Sequence, residues 1–112
     1  MLSKKFRLSK QDIERVYKRG KTFRDSFLVI RFLPNNSGHY RFATVIPKKV
    51  ALKATQRNRL KRKTFAFLEE ILKEVKIGNF DIILSFKTIP EEQSIKPVLS
   101  KILEKFTSNG VR

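Results

Sequence analysis

The residues best suited to chemistry lie between Lys48 and Lys63, where eight of sixteen are Lys or Arg and none is acidic. Cations of one sign at this density suit a polyanion. Each Lys or Arg that meets a phosphate releases condensed counterions, a gain that does not depend on base sequence. A face that is merely solvated mixes its signs, as Glu69 to Lys76 does in this chain. Asn58 stands between Arg57 and Arg59, and an amide there can hydrogen-bond a base edge, a sugar hydroxyl or the backbone. Lys48, Lys49, Lys53, Arg57, Asn58, Arg59, Lys61 and Arg62 are the candidate nucleic-acid-binding residues.

The remaining reactive types are sparse. The chain has no Cys, and His39 is its single His. Asp12, Glu14, Asp25 and Asp81 read as isolated carboxylates. There is no nucleophile–base pair, no Gly-rich phosphate loop and no zinc spacing. No catalytic residue and no metal site is therefore expected in the protein itself. Aromatic rings can stack on unpaired bases, but most rings in a small domain belong to its core. Tyr17 is the best exception, because it lies among cations and its hydroxyl favours a half-wet position.

Positioning these groups needs a folded frame. Ser9 and Asp12 have capping-box spacing, Leu8 and Ile13 occupy the staple positions, and Ile13, Val16 and Tyr17 form one stripe. A short helix from there should stop at Gly20 in a left-handed C-terminal turn. Phe23 to Leu33 and His39 to Ile46 read as strands joined in a hairpin by Pro34–Gly38, with a break near Asp25-Ser26. A helix follows, starting between Leu52 and Gln56, with Leu60, Thr64, Phe67, Leu68, Ile71 and Val75 on one face and Gly78-Asn79 at its end. Its first turns are basic almost all round, so that end should project from the core while the Phe67–Val75 half docks. Phe80 to Phe86 is the next strand. Ser94 should cap a last helix with Pro97 in its first turn and Asn109-Gly110 closing it. The order α-β-β-(β)-α-β-α implies an α+β domain with one mixed sheet and helices packed on it.

The 112 residues fit a single domain spanning 1–112, and ten Phe with 40% hydrophobic content favour a folded one. The formal charge is +16, and all of it lies in residues 1–63, with 19 basic and 3 acidic side chains; residues 64–112 carry seven of each. Nucleic acid suits that field better than an anionic membrane, because the cations sit among folded-domain signals. No apolar run is long enough for a membrane span, and no apolar segment follows the charged N-terminus as a secretory signal would. A reducing cytoplasm is the expected location.

Arg57-Asn58-Arg59-Leu60-Lys61-Arg62, shortly after Val45-Ile46-Pro47-Lys48-Lys49-Val50, resembles the signature of the bacterial ribonuclease P protein subunit. Arg7-Leu8, Ile13, Val16-Tyr17, Gly20, Phe27-Leu28-Val29-Ile30 and the strand Phe80 to Phe86 are similar to that family too, so the likeness spans nearly the whole chain. It implies an α-β-β-β-α-β-α fold akin to a ribosomal-protein domain, with a left-handed β-α-β crossover into the basic helix. It implies a monomeric protein in a one-to-one complex with ribonuclease P RNA. That RNA, with Mg²⁺ bound mainly by itself, removes the 5′ leader of precursor tRNA. The basic residues would meet RNA, and Ile13, Tyr17 and Ile30 would line a cleft for the leader. The chain departs from the family pattern at Ile13 and near Ile30, where aromatics are usual, at Phe65, where Arg is common, and at Val50-Ala51-Leu52, which lacks a Gly. A ribosomal or other structural RNA-binding protein is the rival reading, and a protein-only nuclease a weaker one.

Overall fold

The strand Phe80–Phe86 is the axis of the molecule. It reads Phe-Asp-Ile-Ile-Leu-Ser-Phe, and Asp81, Ile82, Ile83, Leu84 and Phe86 are all buried. A strand buried on both faces must have layers on both sides. The computed structural model describes residues 3–107 and supplies those layers. After a 3-10 turn at Lys4–Phe6, the elements in chain order are α1 (Lys10–Arg19), β1 (Lys21–Asp25), β2 (Leu28–Pro34), β3 (Arg41–Val45), α2 (Ala54–Leu72), β4 (Phe80–Phe86) and α3 (Glu92–Glu104). One four-stranded sheet has the order β1-β2-β4-β3. This is the expected single α+β domain with a mixed sheet.

The pairing of the strands differs from the expected hairpin. β2 and β3 are not neighbours, because β4 lies between them. β4 runs antiparallel to β2 and parallel to β3. The tight hairpin is instead β1–β2, where Asp25 pairs with Leu28 and Ser26 takes φ 53° in the two-residue turn. The break near Asp25-Ser26 is thus the true hairpin. Composition marks Pro34–Gly38 as a turn equally well. The apolar need of β4, two buried faces and two paired edges, draws it into the gap.

The pleat assigns the faces. Leu28, Ile30, Phe42, Ile82, Leu84 and Phe86 point to the side covered by α2 and α3, forming the main core with Leu60, Phe65, Leu68, Ile95, Leu99 and Phe106. Ala43 and Ile83 point to the other side, where Val16 of α1 covers them with Leu8, Ile13, Leu33 and Val45 around.

Helix ends show where local signals compete. The capping box at Ser9 and Asp12 forms as read: Asp12 N–H donates to Ser9 Oγ, and Ser9 N–H to Asp12 Oδ2, both at 3.2 Å. Gly20 ends α1 but is extended, φ −77° and ψ 165°, not left-handed. Its glycine requirement is one of space, since a Cβ would lie 2.5 Å from Val16 O and 2.7 Å from Phe32 O. α2 begins at Ala54 within the expected window and stops at Leu72, well before Gly78-Asn79. The chain turns there and Gly78 N–H donates to Phe106 O. The buried stripe of α2 is Leu60, Thr64, Phe65, Leu68 and Ile71, while Phe67 and Val75 are half-buried. Thr64 fits this stripe because its hydroxyl donates to Leu60 O at 2.7 Å. α3 is capped by Glu91 rather than Ser94, which places Pro97 inside the helix. The expected stop at Asn109-Gly110 lies outside the described residues.

Candidate nucleic-acid interface

β3 delivers the chain to the interface. After Val45 a turn forms in which Val50 N–H and Ala51 N–H both donate to Pro47 O, at 2.9 and 3.2 Å. Ala51 is buried and anchors that turn, leaving Lys48 and Lys49 exposed on it. Lys53 caps α2 with its backbone only; no side chain caps the helix and its first turn has no acid. The free N–H end of a helix carries partial positive charge. Cations at that end oppose helix stability, which marks a place where sequence serves a ligand rather than the helix.

The eight candidate residues do not behave alike. Lys48, Lys49, Lys53, Asn58, Arg59 and Arg62 are exposed, and Lys61 is half-buried. Arg57 is folded back, with Nη1 donating to the carbonyls of Ala51 and Leu52 at 2.9 and 3.0 Å. It staples the turn to the helix. Among the described residues, none of the seven cations lies within salt-bridge distance of a carboxylate. Lys63, the last cation of the run, does pair, with Glu92 of α3.

A cleft of about 450 Å³ joins this surface to α1. Leu8 and Ile13 form one wall, Asn58, Lys61 and Arg62 the other, and Ala43 and Thr44 of β3 the back. Ile13 thus borders this cleft. Phe65 also borders the cleft while 6% exposed, so this helix position faces the core. Tyr17 lies one helical turn beyond Ile13, 45% exposed. The Arg31 guanidinium sits 4.9 Å from its ring centroid, a cation–π contact.

Ile30 is a correction. It is fully buried in the core under α2 and α3 and does not reach the α1 side. Neighbouring strand residues point to opposite faces, so a shift of one exchanges them. Arg31, paired across the sheet with Ile83 and Thr22, holds the α1-side position instead. Nothing in Phe27–Phe32 signals this by composition, because apolar residues occupy both faces.

Two of the four carboxylates read as isolated are joined by one guanidinium. Arg41 Nε and Nη2 donate to Asp81 Oδ1 and Oδ2 at 2.9 and 2.8 Å, and Nη1 donates to Asp12 Oδ2 at 3.0 Å. Asn35 Nδ2 adds a 2.7 Å bond to Asp81 Oδ1. Asp81 is fully buried and saturated. Burial alone would raise the Asp12 carboxyl, but hydrogen bonds from Ser9 and the charges of Arg41 and Arg15 hold it below its usual range. The Asp81 hydrogen bonds and the two carboxylate charges raise Arg41 further, against the opposing effect of its burial. This relay ties the start of α1 to β3 and β4, and so sets one side of the cleft. Asp25, on the far strand, pairs with Lys101 of α3.

Residues 2–107 match the family model described as Ribonuclease P. This chain belongs to the ribonuclease P protein family. It is 32% identical over 100 residues to the ribonuclease P protein component of a Pseudanabaena species, covering 86% of this chain and 85% of that one. It is 40% identical over 75 residues to the Synechocystis component, covering 66% of this chain and 60% of the relative. Among solved structures, a mutant RNase P protein of Staphylococcus aureus is 26% identical with a TM-score of 0.73, covering 91% of this chain and 87% of that one. Among the described residues, no helix is long and apolar enough to cross a membrane.

Proposed function

We propose that this ribonuclease P protein binds a ribonuclease P RNA and the 5′ leader of precursor tRNA, and promotes endonucleolytic removal of that leader. The observation that carries this is the row of unpaired cations on α2, continuous with a cleft bordered by Ile13 and Asn58. The mechanism is physical. Lys48, Lys49, Lys53, Arg59, Lys61 and Arg62 lower the repulsion between two polyanions, so substrate affinity rises and less Mg²⁺ is needed. The leader runs past Ile13 and Tyr17, read by shape and stacking more than by base identity. Phosphodiester hydrolysis belongs to the RNA and its Mg²⁺, so the holoenzyme is the endoribonuclease. Asp12 and Asp81 do not fit a divalent ion, since Arg41 already saturates their facing oxygens. The working unit is one protein with one RNA in the cytoplasm. Family membership sets the reading as a structural ribosomal protein aside.

The test is reconstitution with ribonuclease P RNA and labelled precursor tRNA at low Mg²⁺. Leader cleavage should rise on adding the protein, and no rise would end the proposal. In the same system Tyr17→Ala should weaken precursor binding and leave mature tRNA binding unchanged. Equal loss for both would remove Tyr17 from the leader's path.

A further inference from the structure

Among the described residues, three large apolar side chains are exposed: Tyr17, Leu52 and Ile89. Tyr17 belongs to the path assigned to the leader. Ile89, 53% exposed, lies in the loop between β4 and α3 and borders a second groove, between α2 and α3. Leu60 and Ile95, both buried, form its floor, with Ile89 and Pro90 as one wall. Gln56, Arg59 and Lys63 of α2 form the other. At about 100° per residue, Asn58, Lys61, Arg62 and Phe65 fall on one flank of α2, and Gln56, Arg59 and Lys63 on the opposite one. The first set lines the cleft toward α1 and the second this groove toward α3. A helix with its side chains is about 10–12 Å across, so the two openings are separate. The cations of α2 are thus divided between two grooves.

We propose that the groove between α2 and α3 seats one unpaired base of the RNA subunit. The proposal rests on the reading that this protein binds ribonuclease P RNA. The groove holds about 220 Å³, below the roughly 300–1,000 Å³ of a pocket for a drug-sized molecule. That space suits one ring system and not a duplex. A base splayed from RNA is gripped by apolar side chains and hydrogen-bonded at its edge. Ile89 and Pro90 supply the apolar contact, and the exposed Gln56 carries an amide that both donates and accepts. Arg59 meets the flanking phosphate. Glu92, the one acid of the lining, is paired with Lys63, so the groove offers RNA no unpaired carboxylate. The leader is not the source of this base, because Ile13 and Tyr17 hold it on the other flank of α2. A second copy of the chain suits the groove less well. Residues 1–63 hold the whole net charge of +16, and two copies meeting at Arg59 and Lys63 would repel.

Ile89→Ser removes the apolar wall at an exposed position, so the melting temperature should stay within about 4 °C of the parent's. Affinity for ribonuclease P RNA should fall about fivefold, the lower end of what loss of a stacking partner costs. Ile89→Leu should bind as the parent does. Base-specific chemical probing of the ribonucleoprotein with precursor tRNA bound supplies the signature. The parent should protect one unpaired nucleotide of the RNA subunit that Ile89→Ser leaves reactive, with the rest of the footprint unchanged. Parental affinity in Ile89→Ser, a footprint indifferent to that change, or a newly reactive nucleotide in precursor tRNA each overturns the proposal. So does an Ile89→Leu as weak as Ile89→Ser, a larger fall in melting temperature, or a parent dimer that Ile89→Ser disperses in sedimentation. A parent that does not bind the RNA subunit at all overturns the proposed function too. Parental binding with a footprint indifferent to position 89 overturns the groove alone.

Discussion

Two arginines of one motif separate at the scale of the residue. Arg59 is exposed and has no carboxylate partner among the described residues, whereas Arg57 is half-buried on two carbonyls. Arg59→Ala should leave stability within about 0.5 kcal/mol, as surface changes usually do. It should weaken RNA binding and reduce the salt slope by about one unit. Arg57→Ala removes hydrogen bonds from a charged donor and should cost about 1.5–3 kcal/mol, loosening the turn that carries Lys48 and Lys49. Urea unfolding beside salt-dependent RNA titration distinguishes them. An Arg57→Ala protein as stable as the parent would show that the staple contributes nothing. The local motif reads these residues as equal cations; the carbonyls that make one of them a staple depend on how the Pro47–Leu52 turn folds.

Among elements, the most consequential junction is the Arg41 relay. α1 rests on a small apolar cluster, Val16 with Ala43 and Ile83, so its placement depends heavily on Asp12 and Arg41. Breaking one partner of a buried ion pair leaves the other charge uncompensated, and Arg41→Met should cost about 3–5 kcal/mol. The pH dependence follows from Asp12. Its folded carboxyl lies below the usual value, so its stabilisation is complete above the unfolded pKa of about 4. It is lost as pH falls through the lower, folded value. Asp12→Asn should flatten stability over that acid window and leave the neutral-to-alkaline slope alone, as urea midpoints between pH 2 and 7 would show. A mutant retaining the full acid slope would place its origin in other carboxylates.

For the whole molecule, the net charge of +16 sets two opposed responses to salt. Self-repulsion among exposed cations opposes the folded state and is screened with a Debye length of about 10 Å at 0.1 M. Added NaCl should therefore raise the melting temperature of the free protein. The same salt should weaken RNA binding; six phosphate contacts give a slope of log K against log salt of about −5 on a duplex and −4 on a single strand. Calorimetry and filter binding across 0.05–0.5 M, roughly half to five times the 0.1 M reference, read both signs. A melting temperature that falls with salt would mean that attractive pairs outweigh the repulsion.

The sequence by itself determined the local choices: the Ser9–Asp12 cap, the start of α2, the single-sign cation run and the order of elements. Each depends on residues within a few positions of one another, through capping geometry, periodicity or charge density. The family could be read from Arg57–Arg62 with Lys48-Lys49 for the same reason. Only the tertiary structure decided that β4 enters between β2 and β3, because strand order reflects competition among segments far apart in the chain. It also decided that Arg31 rather than Ile30 faces α1, since a shift of one residue inverts a strand that carries apolar residues on both sides. Asp12 and Asp81, 69 positions apart, meet only through Arg41.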